Sequence, residues 1–298
     1  MIDPGLHARV VLVTGGNSGI GAAIVRRFAS QGAHCIVHYL DTRVEGDLIP
    51  EATFLHEVSG KAAADRLIDE IEGRGGRGVA AAADLANPSA PERLFEDAER
   101  MFGPIDILVN NAAHCEMPDT IEQVRPGTLD RHFAVNVRAA VLLMRELIVR
   151  HRNRGRTFGR IINITTDAAR AFATQIAYGA SKYALEGFTR SVAMEAGCLG
   201  ITVNAIAPGP IQTGWITPEL EARVLSAIPL GRLGTPEDIA DAAVFLASEQ
   251  ARWITGQVIY KWQAATLSEK QFIPHVRRVA CRAPRICRNG GNSCRRCG

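Results

Sequence analysis

The chain has 298 residues, of which 47% are hydrophobic and 22% are charged, and its formal net charge at pH 7 is +3. This composition allows one large α/β core. It excludes a transmembrane protein, because no apolar run approaches the roughly 20 residues of a membrane span. The start of the chain lacks the features of a secretory signal, so we expect a cytoplasmic protein.

The first element is a short apolar run, Val10-Val11-Leu12-Val13, followed by a glycine-rich segment at residues 14–21. Such a run is typical of a parallel strand that is buried on both faces. Apolar residues at helical spacing continue to Gly32. Glycines let a backbone approach a pyrophosphate, and free N–H groups at a helix start favour its negative charge. The sequence therefore predicts a dinucleotide-binding turn.

A second strand at residues 35–39 ends in Tyr39-Leu40, and Asp41 comes only afterwards. An acidic residue at this tip would hold the ribose hydroxyls of NAD and repel a 2′-phosphate. Its absence favours NADP(H) over NAD(H). The preference is slight, because Ser18 stands where a basic residue would assist a 2′-phosphate.

Residues 42–60 predict an unusually long loop, because they contain Gly46, Pro50 and Gly60 and have mixed polarity. The loop either covers the adenosine end of a cofactor or is a tolerated surface insertion. We favour the surface insertion.

The middle of the chain alternates further helices and strands. A helix is predicted at residues 61–72, a third strand ends at Asp84-Leu85, and the next helix spans residues 91–102. The residues of this second helix that should face inward are Leu94, Phe95, Ala98 and Met101.

The next strand ends in Asn110-Asn111-Ala112-Ala113, which suits a site where a sugar lies against backbone. A long helix after Thr128 carries Asn136 among apolar residues, so its amide needs buried partners. The basic residues at positions 150–156 close this helix at Gly155 and have no aromatic residues among them. They indicate a solvated helix end and not a nucleic-acid site.

A further strand at residues 160–164 leads to Thr165 and Thr166, and twelve residues after Thr166 comes Tyr178. Tyr178 and Lys182 are four residues apart and share one face of a helix. A positive charge near a phenol stabilises the phenolate and lowers its pKa toward neutrality, so Tyr178 could act as a general acid or base. Taken alone, the pair could also be a coincidence.

The last part of the fold contains a strand at residues 201–206, a helix at 236–248 and a strand at 257–260. An apolar segment around Trp215 stands between them, where it could cover a substrate pocket. The sequence thus predicts an α/β fold: a single-domain, Rossmann-type, doubly wound parallel sheet of about seven strands with helices on both faces. We expect the domain to span residues 1–262.

Several motifs occur together in the expected order: Thr14-Gly15 with Gly19 and Gly21, Asp84, Asn110-Asn111-Ala112, Asn136, Tyr178 with Lys182, Pro208-Gly209 with Thr213, and the run at residues 231–238. In this combination the sequence closely resembles the classical short-chain dehydrogenase/reductase family, from about Arg9 to Tyr260. Within the family it is most similar to 3-oxoacyl-[acyl-carrier-protein] reductase and related ketone or aldehyde reductases.

The resemblance implies a cofactor site and a catalytic set. The cofactor-binding residues that it implies are Gly15, Asn17, Ser18, Gly19, Ile20, Gly21, Tyr39, Asp84, Leu85, Asn111, Ala112, Ala113, Tyr178, Lys182, Pro208, Gly209, Ile211 and Thr213. The catalytic residues that it implies are Asn136, Thr166, Tyr178 and Lys182. No metal is implied. Tyr178 would protonate the carbonyl oxygen, Lys182 would lower the phenol's pKa and hold ribose hydroxyls, and Asn136 would anchor a proton-carrying water.

A threonine replaces the family's usual serine. Alignment along the strand places Thr166 at that position, whereas the common loop length before Tyr178 gives Thr165. We select Thr166, and we note that its additional methyl group restricts rotation.

The resemblance implies reversible hydride transfer between NADP(H) and a carbonyl, alcohol or acyl-thioester substrate by a homo-oligomer, a dimer or tetramer. The alternative is a cofactor-binding regulatory or scaffold protein that has lost catalysis.

The resemblance stops after Tyr260. Residues 261–298 contain nine Lys or Arg and one acid, and Cys281, Cys287, Cys294 and Cys297 crowd the last 18 positions. A binding tail, a small metal site and a shifted reading frame would each explain this change. Cys294 and Cys297 have metal-ligand spacing, but Cys281 and Cys287 do not form a matching second pair, which disfavours a zinc site. We favour the shifted frame, because the change in composition is abrupt. Residues 263–298 are expected to be a disordered tail, and the altered C-terminus would weaken the oligomer.

Overall fold

The computed structural model describes residues 3–41, 53–54, 59–169 and 174–261. The predictions for the tail at residues 263–298 and for most of the 42–60 loop lie outside these residues. Within the described part, no helix is long and apolar enough to cross a membrane.

A seven-stranded parallel sheet forms the centre of the described structure. All of its strands and two short additional ones, β3 and β6, are numbered together in chain order: β1 (Val10–Val13), β2 (His34–Tyr39), β3 (Thr53–Phe54), β4 (Arg77–Ala82), β5 (Ile107–Asn110), β6 (Glu116–Met117), β7 (Gly159–Ile164), β8 (Ile201–Pro208) and β9 (Val258–Lys261). The spatial order is β4-β2-β1-β5-β7-β8-β9. Successive strands are therefore added first on one side of β1 (β2 and β4) and later on its other side (β5, β7, β8 and β9). This order confirms the predicted Rossmann-type doubly wound fold.

Helices cover both faces of the sheet. They are α1 (Gly19–Ser30), α2 (Lys61–Glu72), α3 (Ala90–Phe102), α4 (Pro126–Phe133), α5 (Ala140–Asn153), α6 (Ile176–Ala196), α7 (Pro218–Val224) and α8 (Pro236–Ala247). The predicted long helix after Thr128 begins at Pro126, and a π-helical segment at Ala134–Ala139 separates α4 from α5. This segment carries Asn136. Wider π-helical turns often occur at functional sites.

Alternating side chains of the strands form two core layers. Val11 and Val13 pack on one face with α1 and α8, whereas Val10 and Leu12 pack on the other with α3, α5 and α6. The prediction that Met101 faces inward is wrong, because its side chain is 59% exposed. Met101 lies in the last turn of α3, where the neighbouring Phe102 packs against the core instead.

Two pieces of the 42–60 loop are described. Strand β3 pairs in antiparallel fashion with β6, with Thr53 opposite Met117 and Phe54 opposite Glu116. The side-chain amide of Asn17 donates hydrogen bonds to the backbone carbonyls of Ser59 and Gly60. The described pieces of the loop therefore contact the segment after β5 and the glycine turn after β1.

Candidate active site

A cavity of about 530 Å³ opens at the carboxyl ends of the central strands, where ligands of open parallel sheets bind. Its lining contains most of the residues predicted to bind a cofactor: Gly15, Asn17, Ser18, Gly19, Ile20, Gly21, Asp84, Leu85, Asn111, Ala112, Ala113, Pro208, Gly209, Ile211 and Thr213. Thr165, Thr166 and Trp215 line it as well. Asn136, Tyr178 and Lys182 are not among the residues that line it.

Tyr39 is placed differently from the prediction. Its side chain is 5% exposed and packs in the core layer next to α1 and α2. Its neighbours His38 and Leu40 line the cavity instead. The reason is the alternation of side chains along β2, which points residues 38 and 40 to one side and residue 39 to the other.

The glycine turn is shaped for close backbone approach. Gly15 has a φ of +58°, a conformation that favours glycine. A Cβ at Gly21 would lie 2.0 Å from the carbonyl oxygen of Gly15 and 2.7 Å from the amide nitrogen of Asn111. A larger residue at either position would displace the turn, so the residues present fit a phosphate-binding cradle at the start of α1.

Thr14 joins this turn to the end of β5. Its Oγ1 accepts hydrogen bonds from the backbone N–H groups of Asn111 at 2.9 Å and Ala112 at 3.0 Å. In return, the side-chain amide of Asn111 donates to the carbonyl oxygens of Thr14 at 3.0 Å and Gly15 at 2.9 Å. The side chain of Asn111 therefore positions the glycine turn, a role that its place after a strand does not reveal.

Tyr178 and Lys182 both lie on α6, at the spacing that the sequence predicted. The Lys182 ammonium donates a 2.8 Å hydrogen bond to the carbonyl oxygen of Ile164, and it lies 5.8 Å from the centre of the Tyr178 ring. Lys182 is 2% exposed, and burial lowers its pKa to about 8. It is therefore cationic at neutral pH while bound inside the protein.

The phenol of Tyr178 keeps its proton. Burial raises its pKa above the usual value, and the neighbouring Cys115 and Asp167 act in the same direction. The expected lowering by Lys182 is not observed, because burial outweighs an ammonium whose hydrogen bond goes to Ile164. In this state Tyr178 is a neutral hydrogen-bond donor.

Asp119 fixes the first turn of α6. Its carboxylate is fully buried and accepts hydrogen bonds from the backbone N–H groups of Ala177 and Tyr178, each at 3.0 Å. Its own carbonyl oxygen accepts the N–H of Ile176 at 3.1 Å. The residue at the helix N-cap, Gln175, contributes no side-chain cap. Asp119 therefore supplies the missing acceptors for the free N–H groups of this helix.

Asn136 connects α6 to the loop after β5. Its Oδ1 accepts the backbone N–H of His114 at 2.7 Å, and its Nδ2 donates to the carbonyl oxygen of His114 at 3.0 Å and to Ser181 Oγ at 2.9 Å. The Ser181 hydroxyl donates to the carbonyl of Tyr178 at 2.7 Å. The buried amide thus has the partners that the sequence required.

The two threonines differ in how their hydroxyl groups are used. Thr165 is 3% exposed, and its Oγ1 donates a 3.2 Å hydrogen bond to the carbonyl oxygen of Ile206 on β8. Thr166 is more accessible and lines the same cavity. The Thr165 hydroxyl therefore bonds the end of β7 to β8, and Thr166 is the more accessible of the two threonines in the cavity.

A buried polar cluster that the sequence analysis did not predict lies beside Tyr178. His114 Nε2 is 3.1 Å from a carboxylate oxygen of Glu116, whose other oxygen accepts the Thr128 hydroxyl at 3.1 Å. The ring of His132 packs edge-on toward Tyr178 at 6.4 Å between centroids. The cluster joins the segment around β6 to one face of α4, and nothing in the sequence indicates that these two segments meet.

Comparison with known proteins identifies this arrangement. Residues 52–261 match the family profile described as enoyl-(acyl carrier protein) reductase, and residues 9–49 match the profile described as short chain dehydrogenase. The chain is 37% identical over 255 residues to the oxidoreductase YjdA of Bacillus subtilis, and the match covers 85% of this chain and 94% of the relative.

Solved structures agree with the sequence matches. A blue fluorescent protein from a metagenomic library, in complex with NADPH, superimposes with a TM-score of 0.75 at 33% identity and covers 87% of this chain and 98% of its own. A 3-oxoacyl (acyl-carrier-protein) reductase from Agrobacterium tumefaciens with NADP bound gives a TM-score of 0.75 at 29% identity, with 87% and 94% covered.

Proposed function

Because this chain belongs to the short-chain dehydrogenase/reductase family of oxidoreductases, we propose that it catalyses reversible hydride transfer between NADP(H) and a carbonyl or alcohol substrate. The observation that carries the proposal is the pairing of a neutral phenol, Tyr178, with a buried ammonium, Lys182, on one helix beside the glycine-lined cavity. This pairing is what proton transfer to a carbonyl oxygen requires.

The bound nicotinamide cofactor would supply or accept the hydride. Tyr178 would donate its proton to the carbonyl oxygen in the reductive direction. The positive charge of Lys182 would stabilise the resulting phenolate and hold ribose hydroxyls. The Thr166 hydroxyl would donate a second hydrogen bond to the carbonyl oxygen. That Asn136 holds a proton-carrying water stays a prediction.

The cavity also fits an apolar substrate. Trp215 lines it next to a small core of its own, formed by Ile216, Val224, Ile228 and Leu233. Such a wall excludes water from the reacting atoms. We expect ketones, aldehydes or 3-oxoacyl thioesters as the substrate class, in keeping with the activity named for the Agrobacterium neighbour.

NADP(H) is the cofactor that we expect. Two structural neighbours contain NADPH or NADP, and the tip of β2 carries Tyr39 and Leu40 in place of an acid. The deciding experiment compares kcat/KM for NADPH and NADH with a panel of ketones, aldehydes and acyl thioesters. A higher value with NADPH supports the proposal, and a clear preference for NADH would show that Asp41 or the 42–60 loop reaches the ribose.

The same panel tests the alternative of a regulatory or scaffold protein without catalysis. No comparison favours that alternative. Cofactor binding without turnover on any substrate of the panel would favour it.

A homo-oligomer also stays part of the proposal, supported by exposed apolar side chains on α4 and α6, namely Phe133 and Phe188. Light scattering of the purified protein measures its oligomeric state.

A further inference from the structure

His38 lies at the cofactor end of the cavity although no sequence motif marks it. It is the next-to-last residue of β2, its side chain is 2% exposed, and its ring is part of the cavity lining. β2 lies between β1 and β4 in the sheet. The ring therefore stands between the glycine turn after β1 and the loop after β4.

Both ring nitrogens have backbone partners. The N–H of Gly15 donates a 3.0 Å hydrogen bond to Nδ1, and Nε2 lies 3.1 Å from the carbonyl oxygen of Ala83. Because Nδ1 accepts, the proton of a neutral imidazole resides on Nε2, which donates to Ala83. The contacts thus select a single tautomer.

The two partners belong to the two walls of the cofactor cleft. Gly15 begins the tight turn at a φ of +58°, and Ala83 directly precedes Asp84 on the opposite wall. The backbone of His38 adds another bond, since its carbonyl oxygen accepts the N–H of Gly16 at 2.9 Å. A rigid aromatic ring that bonds both walls sets the distance between them.

We propose that His38 is a positioning residue that holds the phosphate-binding turn and the adenine-side loop at a fixed separation and thereby sets the affinity for the dinucleotide. The inference rests on the proposed use of a nicotinamide dinucleotide. It extends that function to a residue that acts through Gly15 and Ala83 and does not take part in the chemistry.

The role requires a neutral imidazole, because a protonated Nδ1 cannot accept from Gly15. Burial lowers the pKa of His38 to about 4, although the hydrogen bond to Ala83 and the charge of Asp84 act in the opposite direction. Asp84 is the charged group that faces the ring from the loop after β4, and Gly15 and Gly16 bring no titratable group from the turn. Cofactor affinity should therefore stay constant at neutral pH and fall in acid.

The test compares His38→Phe, His38→Asn and a matched control, His34→Asn. His34 lies at the start of the same strand, and its ring packs against Phe102, away from the cavity lining. We expect His38→Phe to raise the Kd for NADPH on the order of 10-fold, because a phenyl ring makes neither the bond to Gly15 nor the bond to Ala83. Turnover at saturating cofactor should change little. His38→Asn should recover part of the affinity, because an amide both accepts and donates.

Unchanged NADPH affinity in His38→Phe, or an equal loss in His34→Asn, would overturn the proposal. If the variants fail to fold, ¹⁵N NMR of the wild-type imidazoles decides instead. An Nε2–H tautomer from about pH 5 to pH 8 supports the proposal, and an Nδ1–H tautomer or an imidazolium contradicts it. Failure of the wild-type protein to bind NADPH or NADH would contradict the proposed function, whereas the tautomer would still report on His38.

Discussion

The ammonium of Lys182 donates a 2.8 Å hydrogen bond to the carbonyl oxygen of Ile164, the last residue of β7. The same nitrogen lies 5.8 Å from the centre of the Tyr178 ring. One charged group therefore links α6 to the strand that leads into Thr165 and Thr166. Burial and the hydrogen bond to Ile164 fix the position of the ammonium, so its charge stays at a fixed distance from the Tyr178 ring.

Replacement of Lys182 by Met removes the positive charge beside Tyr178. We expect kcat to fall on the order of 100-fold or more, because the phenolate formed by Tyr178 loses its stabilising charge. Steady-state kinetics with NADPH measure the change. Arg190→Met is the matched control, since Arg190 lies two turns further along α6 and its side chain is 52% exposed. Near-normal turnover in Lys182→Met would refute the role of the charge.

Activity should also depend on pH through Lys182. Burial lowers its pKa to about 8, so its charge is present below that value and is lost as the pH rises through it. The kcat/KM for reduction should therefore decline above about pH 8. The pKa of Tyr178 is raised, so its phenol stays protonated over this range. A pH–rate profile checks the decline.

Loss of the folded state caused by deprotonation of Lys182 does not explain such a decline in kcat/KM. Since the pKa of Lys182 in the folded protein is below its ordinary value of 10.5, the unfolded chain binds more protons between these two pH values. This group therefore makes the free energy of unfolding increase with pH in that range. A kcat/KM that stays level from neutral pH to about pH 10 would contradict the assignment.

The two threonines should respond differently to replacement by valine. Thr166→Val removes the hydroxyl expected to contact the carbonyl oxygen, and turnover should fall on the order of 100-fold, as for the loss of one donor to a reacting oxygen. Thr165→Val removes the bond to Ile206, so it should lower Tm and largely preserve turnover. Kinetics and thermal unfolding of both variants separate the roles. The reverse pattern would assign the contact to Thr165.

Asp119 should matter for the position of Tyr178. Asp119→Asn removes a buried charge and one of the two acceptors for the N–H groups of Ala177 and Tyr178. Bonds to charged groups contribute about 1.5–3 kcal/mol, so we expect a lower Tm together with a several-fold lower kcat. Asp130→Asn, at an exposed position on α4, is the control. Equal behaviour of the two variants would show that Asp119 has no special role.

The sequence predicted the sheet well, because buried parallel strands are continuous apolar runs and the helices between them keep a clear period. The run at residues 10–13 and the helix at residues 61–72 have the same bounds in the structure. Tyr178 and Lys182 lie on α6 at their predicted helical spacing for the same reason. Such local patterns need no knowledge of distant contacts.

Distant contacts account for what the sequence did not show. Asp119 bonds the start of α6 from 58 and 59 positions away, and nothing near residue 119 marks it as a helix cap. His38 resembles any polar residue in a strand until the glycine turn and the loop after β4 surround it. The burial of Tyr39 depends on which alternate side chains of β2 point to the core and which point to the cavity. The residues at the end of one strand are too few to determine this from the sequence.

Replacement of Tyr178 by Phe tests the proposed reaction most directly. The change removes only the phenolic oxygen, so NADPH binding should persist while reductase turnover falls by about 10²- to 10⁴-fold or more. Tyr183→Phe is the matched control, because Tyr183 lies on the same helix and its side chain is 55% exposed. We expect the control to keep wild-type turnover. Normal turnover in purified Tyr178→Phe would contradict the assignment of Tyr178 as the proton donor.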